Sequence, residues 1–91
     1  MAEDVIHGQL LNVIDGQNFN MRVTHLGKGN RFRYKQEEAI RVKEVKVGEQ
    51  IVAGDQLNKE GLEKILTGHA LKCLVESRNK MGSLVSKIRL L

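Results

Sequence analysis

An Asp15-Gly16 pair near the start of the chain lies between two runs of apolar residues. The apolar positions are Leu10, Val13 and Ile14 before the pair and Phe19, Met21 and Val23 after it. Asp-Gly in this setting is a strong β-hairpin signal, because glycine tolerates the positive φ that tight hairpin turns need. The sequence therefore predicts one strand over about residues 5–14 and a second over about 18–26.

A longer segment, residues 31–47, also has the alternation of apolar and charged residues that is typical of a strand. Residues 36–39 (Gln-Glu-Glu-Ala) interrupt this alternation and are interpreted as a turn. The alternation also changes phase by one residue at Lys43-Glu44, because the apolar series continues at Val45 and Val47. Such a slip predicts a β-bulge, which bends a strand and is common where a sheet curls into a barrel.

Residues 56–67 have the spacing of a short amphipathic helix, with Asp55 or Asn58 as its cap and Gly68 at its end. Gly61 inside it is interpreted as a point of close packing against the rest of the fold. Two more strands are predicted, over about 70–76 and 83–90. Three strands, a helix and two strands form the order of a five-stranded OB barrel, so the fold class is mainly β with one helix between barrel strands 3 and 4.

Composition favours a single folded domain over residues 1–91 with an aliphatic core, since 41% of the residues are apolar and only 3% are aromatic. One cysteine cannot form a disulfide within the chain, and no apolar run has the length of a signal peptide or a membrane span. These features predict a cytoplasmic protein with no membrane partner. Cys73, in an apolar run, is expected in the core, and His7, His25 and His69 lack a metal-ligand spacing.

The positive charge is concentrated in two segments. The net charge is +4, but residues 22–46 carry eight Lys or Arg against three Glu, and residues 78–91 carry four without an acid. Clustered cations suit a polyanionic partner, because each neutralised phosphate releases counterions. Nucleic acid is therefore the expected partner.

Four blocks of the sequence, residues 8–19, 41–49, 61–71 and 80–88, resemble in order the staphylococcal-nuclease-like (thermonuclease) family. The resemblance spans most of the chain and implies the same OB barrel. Two features depart from the family: the stretch before Arg41 is longer, and the match ends at the last barrel strand without a counterpart of the family's C-terminal helices.

The resemblance also implies a degenerate catalytic site. Gln17 and Lys46 stand where the family has its calcium-binding aspartates, and Ser83 replaces its second arginine. Only Arg41 and Glu49 match the family's first arginine and its glutamate. Ca²⁺ needs several oxygen ligands that typically include carboxylates, so the resemblance implies no catalysis, no metal and no cofactor.

The leading hypothesis is therefore an inactive nuclease-like OB domain that binds single-stranded DNA or RNA without metal. In this hypothesis Lys46 supplies the charge that calcium supplies in the family, with Arg41 and Lys43 on the same strand, and Phe32 and Tyr34 stack on bases. The candidate binding residues are Arg31, Phe32, Arg33, Tyr34, Lys35, Arg41, Lys43, Lys46, Lys80 and Lys87.

The alternative is a protein-interaction or homo-oligomerisation module on the same barrel. Apolar residues of the last strand are its candidate contact: Leu84, Val85, Ile88, Leu90 and Leu91. The segment 27–40 is interpreted in this alternative as an arm that reaches a partner. Salt-sensitive binding alone does not separate the two hypotheses, because an acidic protein partner would show it too. They differ in whether the chain binds nucleic acid in preference to an acidic protein.

Overall fold

The first two strands form the hairpin that the Asp-Gly pair predicts. The computed structural model describes residues 4–30 and 32–91. In it, β1 (Asp4–Asp15) pairs antiparallel with β2 (Asn18–Leu26). The turn does not need Gly16 for the predicted reason, a positive φ, because the φ of Gly16 is not positive. A Cβ at this position would instead overlap the carbonyl group of Leu57, so glycine is required for the close approach of two backbones.

Five strands close into a barrel, which confirms the predicted OB-type fold. The other elements are β3 (Glu37–Val47), β4 (Gln50–Ala53), a 3-10 turn (Gly54–Gln56), α1 (Lys59–Leu66), β5 (Ala70–Arg78) and β6 (Leu84–Leu90). Around the barrel the order is β1-β2-β3-β6-β5, with β5 paired to β1, and only β3 and β6 run parallel. The extra strand β4 forms a hairpin with the end of β3 and was not predicted.

The third strand is shorter than the sequence predicts. Residues 32–36 are not part of a strand, and the turn predicted at 36–39 is wrong, since Glu37 to Ala39 pair with β2. The predicted bulge is confirmed: the register with β6 skips Lys43, which leaves Val42 and Val45 both buried. The strand therefore keeps its apolar side toward the core on both sides of the bulge.

Helix α1 begins after Asn58, whose side chain accepts a 2.7 Å hydrogen bond from the backbone N–H of Gly61. This cap explains the crowding at Gly61, where the atom nearest to an added Cβ is Asn58 Oδ1. The predicted packing of Gly61 against the barrel is wrong. Leu62 and Leu66 are fully buried, so the helix covers the core next to β1. Gly68, with a φ of 82°, follows the helix as predicted.

Each barrel strand contributes inward-facing residues to one hydrophobic core. Its fully buried members are Ile6, Phe19, Met21, Ile40, Val45, Leu62, Leu66, Leu71, Cys73, Val75, Leu84 and Ile88. Leu84 and Ile88 are thus core residues, which corrects their assignment to an oligomer contact. None of the helices in the described residues has the length and apolar character needed to span a membrane.

Candidate nucleic-acid interface

The positions that correspond to the nuclease-like catalytic site do not form one cluster. The carbonyl of Gln17 accepts a 2.7 Å bond from the N–H of Val42, which places Gln17 beside Arg41. Lys46 lies five residues further along β3, about 15 Å away at the usual rise of a strand, and pairs with Arg89 of β6. Glu49 follows in the β3–β4 turn, so the structure separates Lys46 and Glu49 from Gln17.

Ser83 belongs to neither group of these positions. It is largely buried, with 9% of its surface exposed, and its N–H donates to Asn79 Oδ1 in the turn between β5 and β6. Its role is therefore in the turn. Among residues 4–30 and 32–91, no three His, Cys, Asp or Glu side chains converge as a metal site would require.

The two aromatic residues of the predicted stacking platform are anchored to a buried carboxylate. Asp4 Oδ2 accepts bonds from the N–H of Phe32 (2.9 Å) and the hydroxyl of Tyr34 (2.7 Å). Asp4 itself is 2% exposed, and both rings are half-buried against the core. These contacts fix the segment between β2 and β3 on the barrel, so this segment is not the free arm of the interaction hypothesis.

A second anchor of the same segment is the ion pair of Arg78 and Glu38. Arg78 donates to both carboxylate oxygens of Glu38, at 3.1 and 3.2 Å, and the side chain of Glu38 is 3% exposed. The same guanidinium donates to the carbonyls of Gly82 (2.8 Å) and Arg33 (3.2 Å). The hydrogen bond to Glu38 raises the pKa of Arg78 further above its ordinary value.

These two anchors were missed by sequence reasoning. Glu38 was part of a predicted turn, and Arg78 was counted only as a member of a basic segment. The partners that join Asp4 and Arg78 to the segment lie 28 to 45 residues away, and no spacing rule links them. Of the other predicted residues in the segment, Arg33 and Lys35 are exposed, and Arg31 lies outside the described residues.

The outer face of β2 and β3 is the side on which OB folds commonly bind oligonucleotides. Here its charges are balanced. Arg22 lies 4.0 Å from Glu37, and both side chains are more than 60% exposed. At the other end, hydrogen bonds from the N–H of Gln17 and from Asn18 lower the pKa of Asp15, and the nearby charge of Arg41 contributes. This face therefore has no excess of positive charge.

Basic side chains form instead a row that runs around the barrel, away from the segments of β2 and β3 that pair with each other. The register places one basic side chain of each barrel strand next to that of the following strand, in the order Lys46 (β3), Arg89 (β6), Lys72 (β5), His7 (β1) and His25 (β2). We call these five residues the basic row. Lys46, Arg89, Lys72 and His7 each adjoin a buried residue of their own strand, and His25 is itself exposed, so the row lies on the outside of the barrel.

The members of the basic row with a permanent charge are not neutralised by acids. Within the described part of the chain, no carboxylate lies within 4.0 Å of Lys46, Lys72 or Arg89. The acidic residues of these strands lie beside other cations: Lys87 lies opposite Glu44 in the adjacent row, and Lys43 pairs with Glu76 at 2.8 Å beyond it. Lys80 is exposed in the β5–β6 turn, apart from the row.

A pocket of about 320 Å³ opens at the β3 end of the row. Lys46 and Arg89 line it together with Gly48 and Leu90. Gly48, with a φ of 61°, forms the tight turn between β3 and β4. Two cations and a turn backbone around one pocket are a suitable arrangement for an anion.

The opposite end of the row is a cross-strand pair of histidines. The rings of His7 and His25 lie 6.1 Å apart, although the two residues are far apart in the sequence. Lys72 faces His7 from the other side, and its charge disfavours a metal cation at the pair. Cys73 is buried, and burial raises its pKa to about 12, so it is a core residue and not a nucleophile.

Comparison with protein-family models, with curated proteins and with solved structures finds no match for this chain. The resemblance to the nuclease-like family therefore stays a prediction.

Proposed function

We propose that this OB-like barrel binds nucleic acid, single-stranded DNA or RNA by preference, without a metal ion and without cleaving it. The observation that supports the proposal is the uneven distribution of charge around the barrel. The β2–β3 face is balanced, whereas the outer side of β6, of β5 up to Glu76 and of β3 from the bulge onward carries five Lys or Arg against Glu44 and Glu76. The five are Lys43, Lys46, Lys72, Lys87 and Arg89. A polyanion gains most from such a surface.

The residues beside Arg41 do not favour calcium-dependent cleavage. Gln17 provides a neutral amide there, and the carboxylate of Asp15 is occupied by the turn, accepting from the N–H of Gln17 at 2.8 Å and from Asn18 at 2.9 Å. Ca²⁺ prefers several oxygen ligands including carboxylates, and a neutral amide is a poor replacement. The proposal is therefore binding alone.

Fluorescence anisotropy with labelled oligothymidylate, oligouridylate and a duplex of mixed sequence tests the proposal. The titrations are run from low to physiological salt, in EDTA and in calcium, and the probes are checked on a gel afterwards. Poly-glutamate serves as a competitor of similar charge but different chemistry. We expect salt-dependent binding that is equal in EDTA and calcium, with intact probes, and that poly-glutamate competes poorly.

Other results would contradict the proposal. Absence of binding at low salt would show that the basic side is only solvated surface. Full competition by poly-glutamate would favour an acidic protein partner, and cleavage in calcium alone would favour an active nuclease.

Homo-oligomerisation is a second candidate, which one observation favours. Ile51 and Val47, on the hairpin of β3 and β4, expose 60% and 38% of their surface. Sedimentation of the protein and of an Ile51→Ser variant tests it. A dimer that the substitution dissociates would support the candidate, and a monomer over the accessible concentration range would exclude it.

A further inference from the structure

We propose that the basic row is the phosphate track of this barrel, with the pocket of Lys46 and Arg89 as its anchor for one phosphate group. A nucleic-acid strand would then cross β3, β6, β5 and β1 and reach β2 at His25, outside the part of β2 (residues 18–22) that pairs with β3. This inference rests on the proposed function, which states only that nucleic acid binds.

Register makes the row continuous. Each step from Lys46 to Arg89, Lys72, His7 and His25 is one step between hydrogen-bonded strands. Neighbouring strands lie about 4.8 Å apart, so four steps cover about 19 Å. That length suits the lower end of the range of about 4–16 nucleotides that one OB fold occupies.

Curvature of the row favours a single strand over a duplex. Its five strands follow one another around the closed barrel, so the row bends with the barrel wall. A single strand can follow this path, whereas a duplex, with a persistence length of about 150 base pairs, stays straight over the same distance. A duplex therefore reaches only part of the row at a time.

The pocket supplies a fixed point at one end of this track. Its volume of about 320 Å³ is ample for a phosphate group with its water. Lys46 and Arg89 approach it from adjacent strands, so both cations can contact one phosphate, and the chain turns away at Gly48. The anchor is thus separate from the Gln17–Arg41 end of β3, although the nuclease-like resemblance implies one site that contains Gln17, Arg41 and Lys46.

The contribution of the row to binding can be expressed as the salt dependence of the binding constant. Three permanent charges, Lys46, Lys72 and Arg89, contribute about −0.7 each to the slope of log K against log salt for a single strand, or about −2 together. Each substitution by glutamine therefore reduces the magnitude of the slope by about 0.7. Loss of a contact to phosphate affects all base sequences nearly equally.

The test compares three variants that remove charge from different surfaces. Lys46→Gln/Lys72→Gln/Arg89→Gln removes the three permanent charges of the row and is called the row variant. Lys28→Gln/Lys59→Gln/Lys64→Gln removes three exposed charges elsewhere and is the matched control. Arg22→Gln/Arg41→Gln removes the cations of the β2–β3 face. Circular dichroism and thermal melting first verify that each variant is folded. Binding of oligothymidylate and oligouridylate is then measured over the salt range used for the unmodified protein.

We expect the slope of log K against log salt to decrease in magnitude by about two units in the row variant and to stay unchanged in the matched control. If the row variant and the control change alike, or if Arg22→Gln/Arg41→Gln has the largest effect, the row is not the track although nucleic acid still binds. If the unmodified protein binds no oligonucleotide, the proposed function itself fails.

Inorganic phosphate tests the anchor separately. In ¹⁵N-edited NMR spectra, we expect phosphate to shift the amide signals of residues 46–48 and 89–90, and Lys46→Gln/Arg89→Gln to abolish these shifts. Shifts that persist in this variant, or that are confined to other strands, would overturn the assignment of the anchor.

Discussion

Substitution of Arg78 by methionine should remove one of the two anchors of the segment 32–36 and loosen its attachment to the barrel, while the bonds to Asp4 remain. Arg78 donates four hydrogen bonds, two to the carboxylate of Glu38 and one each to the carbonyls of Gly82 and Arg33. Methionine keeps much of the apolar stem but donates none of these bonds. Glu38 would keep a single bond from the N–H of Lys35, at 2.8 Å.

The expected loss of stability in Arg78→Met depends on how deeply the carboxylate of Glu38 is buried. The side chain of Glu38 is 3% exposed, and removing one partner of a buried ion pair costs about 3–5 kcal/mol. The side chain of Arg78 is 30% exposed, which permits water to reach part of the pair, so we expect the lower limit of about 3 kcal/mol. For a domain of this size, that is a fall in melting temperature of roughly 12–24 °C.

The assay is urea and thermal unfolding at neutral pH, followed by circular dichroism and by tyrosine fluorescence. Tyr34 is the only tyrosine and the chain has no tryptophan, so the fluorescence reports on the segment that Arg78 holds. In Arg78→Met we expect the fluorescence transition to occur at a lower urea concentration or temperature than the loss of strand signal, because this variant weakens only the region around Tyr34. Two probes that change together would instead indicate a two-state transition of the whole domain.

Arg22→Met is the matched control. Its pair with Glu37 is 4.0 Å long and more than 60% exposed on both sides, so its loss should cost less than about 1 kcal/mol. The double variant Arg78→Met/Glu38→Gln should recover part of the loss, since it removes the uncompensated charge. A loss below about 1 kcal/mol in Arg78→Met, or coincident transitions, would refute the reasoning, since the carboxylate would then be hydrated.

Three further predictions concern other parts of the fold. Hydrogen bonds from Gln17 and Asn18 lower the pKa of Asp15 below its ordinary value of 3.8, so the ionised carboxylate stabilises the fold above that pH and this stabilisation is lost as the pH falls through the folded pKa. On acidification, the melting temperature of Asp15→Asn should therefore fall less than that of the unmodified protein. Identical acid profiles of the two proteins would contradict this. Gly16→Ala meets the backbone of Leu57 and should cost about 2–3 kcal/mol, whereas Gly29→Ala, with a φ of 74° and open space around it, should cost about 1 kcal/mol in the same urea titration. Cys73 is buried with its pKa raised to about 12, so a thiol reagent should modify it only in denaturant, and rapid reaction of the native protein would show that the core opens.

The barrel was predictable because its signals are local. Alternation of apolar residues identified the strands, the Asp15-Gly16 pair the first hairpin, and the parity slip at Lys43 the bulge. The strand β4 escaped prediction because four residues are too few to show a pattern. Phe32 and Tyr34 alternate as strand residues do, but the acceptor that fixes them is a buried aspartate 28 and 30 residues away.

The basic row was not predictable because it depends on register. Its five residues, at positions 7, 25, 46, 72 and 89, have no common spacing in the sequence. They become neighbours through turns and bulges, such as the irregularity after His7 that keeps His25 opposite it. A shift of one residue in any strand would turn its member of the row toward the core. Sequence reasoning found the basic segments but included only Lys46 of the row among its site residues.

The bulge at Lys43 connects the core with the proposed phosphate track. Without the extra residue, the alternation that buries Ile40 and Val42 would bury position 44 and expose Val45. With it, Val45 packs in the core and Lys46 faces outward beside Arg89. The same backbone irregularity therefore satisfies the hydrophobic requirement of the barrel and brings the two cations of the anchor together. The packing of Val45 in the core therefore also fixes the position of Lys46 beside Arg89.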